Sequence, residues 1–174
     1  AARTRWDVKT AAQRCADFAP YRLSWLEEPL PPDDLEGHVA LSALVDTPIG
    51  TGEQEWNLEG YRRLLRYGAV DLVQMDPART QGITGARAII QLLEAEHKPF
   101  SLHTWSSALT TAAGIALQAN SASGLTFDHK PHPSPMQHEL VDNPWIVKNG
   151  LIAVRDDPGL GVTVREEVVQ KYAI

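Results

Sequence analysis

Apolar residues recur at helical spacing in five segments of the chain, and shorter, more continuous apolar runs lie between them. The helical spacing predicts helices over residues 8–18, 35–44, 58–67, 86–97 and 106–119. The continuous runs are typical of buried strands, and they predict strands over residues 22–29, 48–50, 70–75, 98–103 and 124–128. Because helices and strands alternate, the pattern indicates an α/β fold with about five parallel strands.

Residues at the ends of the predicted helices support these boundaries. Asp7 is a candidate N-cap of the first helix and Asn57 of the third, and either Asp33 or Asp34 begins the second. Gly68 follows the third helix, at the position where a left-handed residue commonly ends a helix. These residue types therefore agree with the apolar spacing.

The last part of the chain has a different pattern. The segment HKPHPSP, residues 129–135, is predicted to be a loop, because its three prolines prevent a regular hydrogen-bonded structure. The segment WIVKNGLIAV contains Asn149 and Gly150 between apolar residues, which is the signal of a two-residue hairpin turn. A hairpin and a final helix are therefore expected at the C-terminal end.

Four residues that are capable of acid/base or metal chemistry lie at the ends of successive apolar runs: Glu27, Glu53, Asp76 and His103. They lie 26, 23 and 27 positions apart, about the length of one strand-helix unit. In a β/α barrel the carboxyl ends of the strands open onto one face, where active sites lie, so we expect the four side chains to converge. A carboxylate at Asp76 would orient the imidazole of His103 and raise its affinity for a proton, which suits a general base.

The composition excludes several classes of function. The 174 residues carry a net charge of -6, and 16 Lys and Arg residues against 22 acidic ones form no basic stripe for nucleic acid. No apolar stretch reaches transmembrane length, and the start of the sequence lacks the pattern of a signal peptide. A single cysteine, Cys15, fits a reducing compartment. We therefore expect a cytoplasmic protein with no nucleic-acid or membrane partner.

Five motifs follow one another along the chain: WLEEPLPPDD, GTGEQ, VQMDPARTQGIT, SLHTWSSA and DPGLGV. In this order and spacing they resemble the C-terminal half of an enolase-superfamily enzyme of the mandelate racemase subgroup. The resemblance implies that residues 1–174 are the C-terminal part of a TIM-type (β/α) barrel, with barrel units to about residue 130 and a tail over residues 131–174 that packs on a capping domain. Since five strands cannot close an eight-stranded barrel, we expect the capping domain and first strands, with a basic motif and a metal-binding aspartate, to lie outside this chain.

The resemblance also implies roles for the residues at the strand ends. Mg²⁺ prefers carboxylate oxygens, and Glu27 and Glu53 are implied to be two of its ligands. Adjacent side chains of a strand point to opposite sides, so Glu28 is expected to hydrogen-bond a neighbouring loop or to face solvent. His103, paired with Asp76, is implied to remove the proton next to a substrate carboxylate, a use of histidine and Mg²⁺ that is known for enolase-superfamily sites.

The chain departs from the family on the last strand, where a glutamate usually contacts the substrate carboxylate. The matching position is Thr126, and either Asp128 or His129 is a nearby candidate to replace it. Arg79 is a candidate contact for a substrate anion or else a surface residue, and Trp105 is a candidate wall of the pocket or else a packing residue. Gln81 stands where relatives commonly have glycine, so loop shape or substrate selection should change there.

Together these features predict a Mg²⁺-dependent lyase that dehydrates a sugar acid to a 2-keto-3-deoxy acid, with His103 acting in both steps. A racemase or epimerase of a 2-hydroxy acid is one alternative, and it needs a second acid/base group outside this chain. A non-catalytic half barrel that only binds a partner is another, whereas a metal-dependent hydrolase is disfavoured by the all-carboxylate ligand set. The expected partners are a small carboxylate substrate, the remainder of the same protein and further copies in a homo-oligomer.

Overall fold

Five parallel strands lie side by side in one sheet, in the order in which they occur along the chain. The computed structural model describes residues 6–68 and 70–173. The strands are β1 (Leu26–Glu27), β2 (Ile49–Thr51), β3 (Leu72–Met75), β4 (Phe100–His103) and β5 (Gly124–Asp128). Every neighbouring pair is parallel, which confirms the predicted α/β fold.

Helices connect the strands and continue after the last one. Along the described residues they are α1 (Val8–Phe18), α2 (Leu35–Ser42), α3 (Leu58–Tyr67), α4 (Gly82–Ala95), α5 (Ala108–Ala119), α6 (Pro135–His138) and α7 (Glu166–Tyr172). A single 3₁₀ turn, Ala19–Tyr21, follows α1 and contains Pro20. Helices and strands therefore alternate along the chain, as the apolar pattern predicts.

The helix caps have a local cause in the sequence. The side chains of Asp7, Asp34 and Asn57 each accept a hydrogen bond from a backbone N–H in the first turn of α1, α2 and α3. Asp34 rather than Asp33 is therefore the N-cap of α2. Gly68 ends α3 with a left-handed φ of +67°, as its sequence position predicts.

The first strand and the second helix are shorter than predicted. The strand predicted over residues 22–29 is reduced to Leu26–Glu27, because its backbone ladder pairs only with the start of the short β2. Helix α2 ends at Ser42, two residues before the predicted end at Leu44. The apolar pattern predicted that both elements exist, but it did not predict the residues at which their backbone hydrogen bonding stops.

Helix α4 begins earlier than its sequence pattern predicts. It starts at Gly82 instead of after Thr84, and the preceding Gln81 has a left-handed φ of +64° and makes no side-chain cap. A start of this kind carries no Ser, Thr, Asp or Asn signal, so capping preferences do not reveal it. Glycine adopts this left-handed conformation more readily than glutamine does, and the effect of Gln81 on loop shape or substrate selection stays a prediction.

The main core lies between the sheet and the helices α3 and α4. Its buried members include Tyr61, Val73, Ile89 and Phe100. A second cluster packs α1 and α2 against β1 and β2 and is built from Ala11, Cys15, Leu26, Leu30, Leu41 and Ile49. Cys15 is therefore a packing residue in a buried cluster. Both clusters support the strands on one side, which leaves their carboxyl ends to form a rim.

The C-terminal tail packs on α5. Two clusters join them, and their buried members are Ala108, Leu140, Val141 and Val168 in one and Ala112, Ile115 and Trp145 in the other. The predicted turn at Asn149 and Gly150 is present, with left-handed φ values of +53° and +75°. Among the described residues the hairpin is limited to one antiparallel bridge between Lys148 and Leu151, so it is shorter than predicted. No helix in the described ranges is long and apolar enough to cross a bilayer.

Candidate active site

The carboxyl ends of the strands bring the predicted acid/base residues together. His103 is the last residue of β4, and Asp76 directly follows β3. The Nδ1 atom of His103 lies 2.9 Å from Oδ2 of Asp76, and Nε2 of the same ring lies 3.6 Å from Oε2 of Glu53. Three of the four side chains that were predicted to converge, Glu53, Asp76 and His103, therefore lie together.

Asp76 fixes the orientation of the imidazole. Its Oδ1 atom accepts a 2.7 Å hydrogen bond from the backbone N–H of Ala78, so the carboxylate itself is held in place. Because an ionised carboxylate only accepts hydrogen bonds, Nδ1 of His103 carries the proton in this pair and Nε2 of the neutral ring carries the lone pair. Burial lowers the pKa of His103, but the hydrogen bond to Asp76 and the charge of Glu53 outweigh it, and the pKa is raised overall.

Glu53 occupies a buried and negatively charged position. Burial raises its pKa to about 6, a change that His103 opposes and that the neighbouring carboxylates of Glu28 and Glu27 strengthen. A nearby positive charge would stabilise the ionised form of a carboxylate in this setting.

The backbone before Glu53 needs a glycine. Gly52 has a φ of +122°, and a Cβ atom there would lie 2.7 Å from the carbonyl oxygen of Gln74 on β3. The hydroxyl of Tyr61, which is fully buried, donates a 2.9 Å hydrogen bond to the carbonyl oxygen of Gly52. These two contacts fix the point at which the chain leaves β2. They therefore also fix the backbone position of Glu53.

Glu27 and Glu28 make different contacts. The amide Nε2 of Gln74 donates a 2.8 Å hydrogen bond to Oε2 of Glu27. Glu28 is buried, and Nε2 of Gln54 lies 3.0 Å from each of its carboxylate oxygens. Of the two settings expected for Glu28, the structure therefore shows the hydrogen bond to a neighbouring loop.

Asp128, and not Thr126, lies level with His103. Asp128 pairs in register with His103 between β5 and β4, whereas Thr126 pairs with Ser101, two residues earlier on β4. The hydroxyls of Thr126 and Ser101 lie 3.3 Å apart. Trp105 contacts both rim residues, because its ring stacks on His103 at 6.4 Å between centroids and its Nε1 lies 2.8 Å from Oδ1 of Asp128.

Arg79 lies near the same rim. Its guanidinium is 5.4 Å from the centre of the Trp56 ring, a cation–π contact, and its positive charge lowers the pKa of Glu53. Arg79 is half-buried, and its role as a substrate contact or as a surface residue stays a prediction. The predicted residues that come together are thus Glu53, Asp76 and His103, with Trp105 and Asp128 beside them.

A family model described as enolase C-terminal domain-like matches residues 2–168. The chain belongs to this family. Among its curated relatives are D-xylonate dehydratase of Haloferax volcanii, at 27% identity over 95% of the chain, and L-talarate/galactarate dehydratase of Salmonella typhimurium, at 30% identity over 95%. The matches cover 40% and 39% of those two enzymes, so the chain spans well under half of their length.

Solved structures of the enolase superfamily share the fold. The 3,6-anhydro-D-galactonate cycloisomerase of Zobellia galactanivorans aligns with a TM-score of 0.90 and 28% identity, over 96% of this chain and 47% of that one. A mandelate racemase/muconate lactonizing enzyme from Jannaschia aligns with a TM-score of 0.91 and 26% identity, over 100% of this chain and 44% of that one. The five strands correspond to the C-terminal part of a TIM-type barrel, which confirms the predicted fold class and family.

The donor set in this member of the enolase family suits part of a Mg²⁺ site. Among the described residues no three His, Cys, Asp or Glu side chains form a cluster that could hold a metal ion alone. Glu27 and Glu53 nevertheless supply hard carboxylate oxygens, and the charges of Glu27 and Glu28 raise the pKa of Glu53 in a way that a divalent cation would offset. The residues present therefore fit two ligands of such an ion.

Sequence reasoning missed two glutamines of this enolase-type site, Gln54 and Gln74. Gln74 interrupts the apolar run of β3 two residues before Asp76, so the strand period places both side chains on one side of the sheet. That interruption was a usable signal. Gln54 follows Glu53 directly and carries no such signal, because an amide in a loop is ordinary.

Proposed function

We propose that the protein containing this chain catalyses Mg²⁺-dependent removal of the proton next to a carboxylate and dehydrates a sugar acid to a 2-keto-3-deoxy acid. The observation that carries the proposal is the pair of contacts made by His103, 2.9 Å to Asp76 and 3.6 Å to Glu53. They leave Nε2 of a correctly oriented imidazole next to a carboxylate that is suited to a metal ion.

In this proposal His103 is the base and Asp76 positions it. The lone pair on Nε2 takes the proton from the carbon next to the substrate carboxylate, and Asp76 stabilises the imidazolium that forms. Glu27 and Glu53 would hold Mg²⁺, and the bound ion supplies positive charge for the negative charge that develops on the substrate carboxylate. The raised pKa of His103 supports this role, since it favours acceptance of the proton.

The second step is loss of the β-hydroxyl. Imidazolium at His103 returns the proton to the departing oxygen, the carbon–oxygen bond breaks and water leaves, and the resulting enol becomes the 2-keto group. Dehydration is favoured because relatives in this family are named as dehydratases of D-xylonate, D-gluconate and L-talarate/galactarate. One residue then serves both proton transfers.

Further residues are proposed to bind the substrate. Asp128 and Trp105 lie beside His103, and Arg79 lies close enough to Glu53 to act on its charge. We assign Thr126 a weaker role, because its hydroxyl lies next to Ser101. The remainder of the same protein is proposed to supply the third metal-binding carboxylate and a basic motif; a cytoplasmic location and a homo-oligomeric state stay predictions.

The experiment uses the complete protein with Mg²⁺ and a panel of aldonic and aldaric acids, with assays for 2-keto-3-deoxy product and for exchange of the α-proton in deuterated water. EDTA-treated protein and a His103→Asn variant serve as controls. Metal-dependent product that is absent from both controls is expected. Exchange without product would favour the racemase, and absence of both reactions, also with mandelate-like acids, would favour a non-catalytic half barrel.

A further inference from the structure

The two proposed metal ligands leave the sheet where the backbone ladder between their strands is short. β1 and β2 share only two register pairs, Leu26 with Ile49 and Glu27 with Gly50. The backbone N–H of Glu28 still donates to the carbonyl oxygen of Gly50 at 2.8 Å. Glu53 comes three residues after Gly50, so the strand ladder does not hold it against β1.

A buried side-chain link joins the two segments at this point. Gln54 donates from Nε2 to both carboxylate oxygens of Glu28, at 3.0 Å each. The side chain of Glu28 is buried, with 1% of the residue exposed, so water competes little for this carboxylate. Each partner is the immediate chain neighbour of a proposed ligand, Glu28 of Glu27 and Gln54 of Glu53.

The backbone of Glu28 has an unusual conformation at the point where its side chain bonds Gln54. Glu28 has a left-handed φ of +40°, a conformation that is unfavourable for non-glycine residues unless other contacts compensate. The side chain of this residue meets the segment that follows β2 through its two contacts with Gln54. A glycine would relieve the backbone cost but would lose the bond to Gln54.

We infer that the Glu28–Gln54 pair positions Glu27 and Glu53 for a shared Mg²⁺ ion. This inference rests on the proposed function. Neither Glu28 nor Gln54 touches the substrate or the ion in this scheme; they set the separation of two carboxylates through chain neighbours that are about 3.8 Å apart along the backbone. Partners of this kind behind metal ligands typically change metal affinity by about 10–100-fold when they are removed.

The test measures Mg²⁺ affinity by isothermal titration calorimetry on the complete protein, together with thermal unfolding of the metal-free protein. Gln54→Leu removes the donor, and Gln54→Asn keeps an amide that is one methylene too short to reach. The exchange Glu28→Gln with Gln54→Glu reverses donor and acceptor and restores the link. Lys98→Met is the matched control, because it removes a 3.0 Å side-chain bond to the carbonyl oxygen of Val70 at the opposite ends of the strands.

We expect Gln54→Leu and Gln54→Asn to weaken Mg²⁺ binding by about 10–100-fold, and the exchanged pair to recover most of that loss. Lys98→Met should lower the unfolding temperature without a change in Mg²⁺ affinity. Unchanged affinity in both Gln54 variants, or a loss that the exchange does not restore, would overturn the inference and leave the proposed function standing. A wild-type protein that binds no Mg²⁺ would overturn both.

Discussion

The indole Nε1 of Trp105 donates a 2.8 Å hydrogen bond to Oδ1 of Asp128. The same ring lies nearly parallel to the imidazole of His103, with 11° between the planes. Trp105 therefore holds a carboxylate on β5 beside the proposed base on β4. The resemblance predicts Thr126 at the family's usual glutamate position, but the residue that pairs in register with His103 is Asp128.

Replacement of Asp128 should impair turnover far more than replacement of Thr126. Asp128→Asn keeps the size of the side chain but removes its charge, and we expect kcat to fall by about 10–100-fold, the cost of losing one hydrogen bond that involves a charged group. Thr126→Val, the matched control on the same strand, should change kcat by less than about fivefold, since its hydroxyl contacts Ser101. The measurement is kcat from initial rates with a sugar acid that the wild type accepts. A larger loss of kcat in Thr126→Val than in Asp128→Asn would contradict the assignment.

Trp105→Phe should raise the pKa of Asp128. Burial already raises this pKa, and the hydrogen bond from Trp105 opposes the rise by stabilising the charged carboxylate. The phenyl ring keeps the stacking surface for His103 but donates no hydrogen bond, so the charged form loses its donor. A ¹³C NMR titration of the aspartate carboxyls in the metal-free protein measures the change, and a lower pKa would contradict the expectation.

The same carboxylate gives a signed effect of pH on stability. Because the pKa of Asp128 is raised on folding, neutral Asp128 contributes stability that is fully present below its unfolded pKa and is lost as pH rises through the folded pKa. His103, Glu27, His129 and Trp105 all face this group, and each also acts on its pKa. Asp128→Asn should therefore flatten that part of the pH dependence of unfolding, as measured by denaturant titration.

His103→Asn should abolish α-proton exchange while leaving Mg²⁺ affinity close to that of the wild type. An amide cannot take up a proton at neutral pH, whereas the two carboxylates proposed as ligands remain. His97→Asn is the control: His97 is exposed and has a left-handed φ of +53°, which asparagine adopts readily. Exchange measured by NMR in deuterated water that survives in His103→Asn would remove the base assignment.

Glu53→Gln should weaken Mg²⁺ binding, with Glu55→Gln as the control. Glu53 lies among other carboxylates and loses its charge in the variant, whereas Glu55 is paired with the guanidinium of Arg63 at 3.5 Å. We expect a drop of at least about tenfold in affinity for the first and little change for the second. An unchanged calorimetric titration of Glu53→Gln would show that the metal lies elsewhere.

The strand-end rule predicted the contact between Asp76 and His103, because parallel strands align their carboxyl ends whatever the intervening helices contain. It could not predict which residue of β5 reaches the rim, since a bulge between Phe100 and Ser101 shifts the register of that strand. The left-handed backbone of Glu28 and the bond of its carboxylate to Gln54, which lies on a different loop, were equally hidden. Local patterns thus place the elements, and long-range contacts decide the details of the rim.

Gly52→Ala should reduce both stability and Mg²⁺ affinity, whereas Gly68→Ala should reduce stability alone. Both glycines have positive φ, and a left-handed alanine costs about 1–2 kcal/mol. At Gly68 no described heavy atom lies within 4 Å of the new methyl group, so only that cost applies. At Gly52 the methyl group would lie 2.7 Å from the carbonyl oxygen of Gln74, which adds about 1–3 kcal/mol of overpacking and displaces the next residue, Glu53. Equal losses of unfolding free energy in the two variants, measured by denaturant titration, would show that the backbone of β3 yields to the methyl group and that Gly52 does not fix the position of the carboxylate.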